Sequence, residues 1–122
     1  MNKVIAIFSI CTMVLFLQSC GGDSGLSLSV TSPTDGQVFS PGDSIPIIGS
    51  ASDDVAISSI RITISKLGID ETIPGMSNQS ENFQFTVNLD TQTPPEDDIE
   101  IVVTAFDGKG NTEEVKRKIN IR

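Results

Sequence analysis

From Leu26 onward the chain alternates apolar and polar residues with a period of two, in one short segment after another. Leu26, Leu28 and Val30 alternate with Ser27, Ser29 and Thr31, and Ile60, Ile62 and Ile64 with Arg61, Thr63 and Ser65. Phe83, Phe85, Val87 and Leu89 form another row, then Ile99, Ile101, Val103 and Ala105. Val115, Ile119 and Ile121 close the chain, with Arg117 breaking the pattern. Such alternation puts every second side chain on one buried face of a strand. Residues 45–51 read as a further strand, in which Pro46, lacking a ladder donor, belongs at a start, edge or bulge. A short strand fits residues 71–73. Between the rows lie Ser32-Pro33-Thr34-Asp35-Gly36, Pro41-Gly42-Asp43, Pro74-Gly75, Pro94-Pro95 and Asp107-Gly108-Lys109-Gly110-Asn111, all dense in turn formers. No stretch after residue 25 carries capped helical periodicity. About seven short strands with frequent turns predict one all-β antiparallel sandwich over residues 26–122.

The first twenty residues differ in kind. Lys3 supplies a positive charge, and residues 4–17 are apolar except for Ser9, Cys11 and Thr12. A bilayer-spanning helix needs about 20 apolar residues, so the run is short for an anchor and fits a secretory signal peptide over residues 1–19. Leu17-Gln18-Ser19-Cys20 follows and resembles the lipobox of bacterial lipoproteins. The resemblance implies cleavage before Cys20, acylation of Cys20 by chains such as palmitate, and residues 20–25 as a short flexible linker. The protein is then expected in the bacterial cell envelope, its partner membrane reached through the lipid anchor. Gly21 and Gly22 differ from the Asp-after-Cys signal of inner-membrane retention, which favours the outer membrane. Cys11 would leave with the signal, so Cys20 would be the one mature thiol and no intramolecular disulfide would form.

Composition narrows the function. The chain has no His, Trp or Tyr and only two Cys, which excludes His-dependent triads, Cys-His pairs and His/Cys metal centres. It also lacks the rings that most often stack on sugars and bases. A net charge of −8 argues against a nucleic-acid partner.

Three ordered elements carry a second resemblance: Ser32-Pro33-Thr34-Asp35-Gly36; Ala51-Ser52-Asp53-Asp54 followed by Ile60-Arg61-Ile62; and Ala105-Phe106-Asp107-Gly108-Lys109-Gly110-Asn111. This chain resembles the bacterial Ig-like modules, which tend to show an S-P-x-x-G turn, an A-x-D element and a late A-x-D-x-x-G-N hairpin. Ile99 stands where many relatives have Tyr. The resemblance implies an immunoglobulin-like or fibronectin III-like sandwich. In that topology the loops after the second and sixth strands share one end. Asp53, Asp54, Asp107 and Asn111 are then candidate calcium ligands, because Ca²⁺ takes six to eight oxygens. The alternative is that these residues serve their own turns. No cofactor is required by either reading.

The remaining charged groups read as surface. Glu96, Asp97, Asp98 and Glu100 belong at the opposite end, away from Asp53, and no cleft sets two carboxylates apart as a glycosidase requires. Lys116 and Lys118 share one strand face and Arg117 the other, as on an edge strand protected by lysine. The expected function is therefore a non-catalytic, membrane-anchored lipoprotein whose Ig-like domain serves adhesion, scaffolding or protein–protein contact in the envelope. The alternative is a carbohydrate-binding accessory lipoprotein of a surface glycan-uptake system, with Phe39 as the stacking ring.

Overall fold

The computed structural model describes residues 25–75 and 78–122. The signal peptide, Cys20 and the linker up to residue 24 lie outside the described residues. Among the described residues eight strands follow one another: β1 (Ser27–Ser32), β2 (Gln37–Phe39), β3 (Ser44–Ser52), β4 (Ile57–Ile64), β5 (Ile69–Pro74), β6 (Ser80–Asn88), β7 (Glu96–Asp107) and β8 (Thr112–Ile121). A single 3₁₀ turn (Ser65–Leu67) joins β4 to β5, and Gly68 ends it at φ 68°, a left-handed conformation that glycine adopts without steric cost.

Two sheets stack face to face. One has the order β1-β3-β6 and the other β2-β8-β7-β4-β5. Every pairing is antiparallel except that of β2 with the end of β8, which is parallel. The alternating rows supply the core. Ile45, Ile47, Ile62, Ile64, Ile99, Ile101, Ile119 and Ile121 are fully buried, with Val30, Val87, Val103 and Phe83 around them. β-branched side chains are stiff and pack well on a pleated surface. Burial of apolar area at about 25 cal/mol per Å² is what holds the two sheets together. The sandwich architecture is as the alternation predicts.

The details depart from the sequence reading where the alternation breaks. β2 has only three residues and a parallel partner, too short to show periodicity, and it raises the strand count from seven to eight. β4 begins at Ile57 rather than Ile60, because an irregularity between Ile57 and Ser59 turns both Ile57 and Ile60 inward. β7 begins at Glu96, with a register shift before Ile99 and Asp98 at φ 54°. Such a bulge lets two residues oppose one and re-aims the strand.

Two exceptions in the pattern have physical reasons. Pro46 pairs with Thr86 on β6, while on its other side β1 reaches only as far as Ile48, so the missing N–H leaves no bond unmade. Arg117 points inward from β8, and its Nη2 donates to the carbonyl oxygen of Val30 on the other sheet at 3.0 Å. The edge assignment for Lys116–Lys118 needs narrowing: β8 pairs with β7 along its length, but its outer side gains a strand partner, β2, only at Ile119–Ile121. Lys118 exchanges bonds with the β1–β2 turn through Asp35 and Gly36.

Candidate functional site

Strand directions place the chemistry at two ends. β1 starts beside the end of β3, with Ser27 opposite Ser52, and β4 starts beside the end of β7, with Ile57 opposite Asp107. Gly25, the β3–β4 loop and the β7–β8 loop therefore share one end. At Gly25 even a single added Cβ would overlap the Asp54 carboxylate. The opposite end carries the β1–β2, β2–β3 and β6–β7 turns and the acidic start of β7.

At the first end the aspartates serve their own loops. Asp53 is buried, and its Oδ2 accepts the N–H groups of Val55 at 3.0 Å and Ala56 at 3.2 Å. Its own N–H donates to Gln79 O, and Ile57 N–H to Asn78 O, which stitches the loop to the start of β6. Gln79 Nε2 adds a bond to Asp54 O at 2.7 Å. Asp107 Oδ1 accepts the N–H groups of Lys109 and Asn111, and its Oδ2 accepts the Asn111 side-chain amide at 2.7 Å. That amide and then the two backbone N–H groups hold the Asp107 carboxyl below the usual carboxylate range, against the opposing effect of desolvation.

The four candidate calcium residues thus lie at one end, as the Ig-like topology implies, but with their oxygens differently engaged. Among the described residues no three acidic, His or Cys side chains come together as a group that could hold a metal ion. One buried oxygen, Asp53 Oδ1, has no hydrogen-bond partner. Asp53 and Asp107 are arranged as turn acceptors, each replacing backbone partners that a loop leaves unmatched.

At the opposite end the acids meet bases that sequence spacing did not reveal. Lys66 donates to Glu96 Oε1 at 2.9 Å and to the Asp97 carbonyl oxygen, and Arg122 pairs with Asp97 at 2.9 Å. Lys66 and Glu96 are 30 residues apart and Arg122 and Asp97 are 25 apart, farther than any local pattern spans. Asp43 and Asp90 accept N–H groups within their own turns. Glu96, Asp97 and Asp98, read from the sequence as surface groups, are exposed and form the first residues of β7.

Between the open edges of β5 and β6 lies a groove of about 180 Å³, floored by Ile57, Ile60, Ile73 and Phe83 and bordered by Glu81. On the outer face of the same sheet, Arg61 grips Asp70 through two hydrogen bonds at 2.9 and 2.7 Å. The pairing pushes Arg61 up and draws Asp70 below its ordinary value, the hydrogen bond being the larger cause. The pair is solvent-exposed, so screening leaves it little weight in stability. Phe39, the ring on which a sugar would have stacked, is only 6% exposed and belongs to the core, so it presents no face to a glycan.

No curated protein matches the chain. Among solved structures it is similar to the fibronectin(III)-like modules of Clostridium thermocellum CbhA, with a TM-score of 0.56 and 13% identity over 78% of this chain and 94% of that one. At that identity the likeness is one of fold. The family model for the bacterial Ig domain matches residues 27–101, more than half of the chain, from the start of β1 to the middle of β7. The chain therefore belongs to the bacterial Ig domain family.

Proposed function

We propose that this protein is a non-catalytic lipoprotein of the bacterial cell envelope, held through acylated Cys20, whose Ig-like domain serves as a protein-contact module. The observation that carries the reading is where the chain enters the sandwich. Gly25 and the start of β1 sit at the end closed by Asp53 and Asp107. From Cys20 to Leu26 the chain spans at most about 20 Å. A lipid on Cys20 would hold that end against the membrane, most consistently the outer membrane, and turn the other end outward.

The outward end then presents Asp35, Asp43, Asp90, Glu96, Asp97 and Asp98, with Lys66 and Arg122 drawn into ion pairs among them. Its excess of carboxylates suits a basic protein surface, and complementary charge speeds encounter and selects partners more than it tightens them. Acyl chains contribute about 0.8 kcal/mol per buried CH₂, so more than one chain gives stable anchoring.

Metabolic labelling with palmitate tests the anchor. The wild type takes up label and stays with the membrane fraction, whereas Cys20→Ala loses both; an unlabelled wild type refutes the proposal. Limited proteolysis of the membrane-bound protein tests the orientation. Cuts within residues 90–98 come first, and earlier cuts within 53–56 or 107–112 would overturn it.

A further inference from the structure

A two-layer sandwich has four sheet edges, and three of them here are blunted. β2 is three residues long, β1 carries a register shift between Val30 and Ser32, and β5 bears Asp70 and Glu71 and ends on Pro74. These are the devices by which proteins protect an edge from adding another strand. β6 has only one of them, the single charge of Glu81 near its start. It runs nine residues without Pro, Lys or Arg, in unbroken register with β3, and among the described residues it pairs with β3 alone.

The direction of its free backbone groups follows from the ladder. Leu89 N–H donates to Asp43 O and Asp53 N–H to Gln79 O, which fixes the odd-numbered residues as those bonding to β3. Hydrogen-bonded and non-bonded pairs alternate in an antiparallel ladder, so the even-numbered residues aim their N–H and C=O groups at the open edge. Their side chains are Ser80, Asn82, Gln84, Thr86 and Asn88, all exposed and all uncharged. In a chain of net charge −8, this is a row that can meet its own copy without bringing like charges together.

We infer that β6 is a self-association edge, on which a second copy of this chain pairs antiparallel about a two-fold axis through Gln84. That register uses the whole strand. Gln84 faces Gln84 of the second copy, Asn82 faces Thr86, and Ser80 faces Asn88, giving about ten backbone hydrogen bonds and uncharged cross-strand pairs. Glu81, the one charged residue of β6, faces Val87. Phe83 faces the half-buried Phe85, so each copy brings an aromatic ring to the lip of the other's β5–β6 groove. The pairing is isologous and closes after two copies. It joins the two three-stranded sheets into one, and it places the two Gly25 ends at opposite ends of the dimer. The inference stands on the edge alone and does not depend on the lipid anchor.

The test uses residues 21–122, which hold both sheets and the whole described core, with light-scattering mass measurement across a protein dilution series. The wild type is expected to be a dimer at high concentration. Gln84→Lys and Gln84→Glu, exposed changes that put like charges face to face on the axis, should each be monomers with an unchanged melting curve. An equimolar mixture of the two should recover the dimer mass as a heterodimer. A wild type monomeric throughout, a Gln84→Glu variant that stays dimeric, or a mixture that stays monomeric would each overturn the inference.

Discussion

Gly49→Ala is the substitution whose effect the packing of this sandwich determines most directly. Gly49 lies in the middle of β3, facing inward, with Val30 opposite on β1 and Phe83 opposite on β6. A Cβ there would overlap the carbonyl oxygen of Ser29 and stand 2.6 Å from Cζ and 3.1 Å from Cε1 of Phe83. The ring of Phe83 occupies the room that the missing side chain leaves. Two effects oppose each other. Alanine restricts the unfolded chain, a gain of about 0.4–1 kcal/mol where the native backbone accepts it. Overpacking a close-fitted core costs about 1–3 kcal/mol. One obstruction here is backbone, which yields less readily than a side chain, so the second effect wins. The expected net loss is about 1–2 kcal/mol, and at about 4–8 °C per kcal/mol for a domain of this size the Tm falls by roughly 5–15 °C. Thermal melts followed by far-UV circular dichroism measure it. The penalty should shrink by at least about 0.5 kcal/mol in a Phe83→Leu background, since the two sites share one obstruction. A Gly49→Ala protein as stable as the wild type would refute the reasoning.

Three further outcomes follow from burial, titration and metal chemistry. Ile62→Ala, at a side chain with no exposure, should cost about 2–5 kcal/mol in urea denaturation, while Val38→Ala, at 55% exposure, should stay within about 0.5 kcal/mol. The folded Asp107 carboxyl lies below its unfolded value because the Asn111 amide and then the loop N–H groups favour its charged form, so between the two values the unfolded chain binds more protons. Its stabilisation is present above the unfolded range near pH 4 and is lost as pH falls through the lower folded value. Tm measured against pH should therefore show an acid limb that flattens in Asp107→Asn, and an unaltered limb would reject the assignment. Because the loop donors already engage both oxygens of Asp107 and one of Asp53, the Tm should be equal in EDTA and in millimolar Ca²⁺. A rise of several degrees that disappears in Asp107→Ala would instead place a cation there, since a ligand of the folded state stabilises it by RT ln(1 + [L]/Kd).

The longer strands were legible in the sequence because one buried face imposes period two. The rows of β6 and β7 and the last two isoleucines of β8 face the core as their alternation implies, with Phe85 alone half-buried. Alternation loses its meaning where backbone geometry changes. The irregularity at Ile57 hid the start of β4, the bulge at Asp98 hid that of β7, and β2 is shorter than one period can reveal. The ends of the sandwich were half legible. Topology places Asp53 and Asp107 at one end and the Glu96 group at the other, yet Phe39, the ring that the sequence offers to a sugar, lies in the core. The ion pairs of Lys66 and Arg122 join residues with no local relation. An alternating pattern records which face of a strand is dry, but not which long-range partner a charged residue will find.

The tether and the open edge constrain each other. A strand that pairs antiparallel with its own copy sends the two chains in opposite directions, so the two Gly25 ends point away from one another. If each copy is also held by Cys20 through a linker of about 20 Å at most, two copies on one membrane cannot both keep their anchored ends down while their β6 edges pair. Copies on facing surfaces can, since opposite chain directions are what two opposed membranes require. Anchor and edge together therefore favour contact between surfaces over clustering within one. Vesicles carrying the lipidated protein at a density too low for crowding should aggregate one another, and vesicles carrying Gln84→Glu should not. Mixing Gln84→Glu vesicles with Gln84→Lys vesicles should restore aggregation. Aggregation by Gln84→Glu vesicles alone would assign the contact to a surface other than β6, and wild-type vesicles that never aggregate would rule out contact between copies on facing membranes.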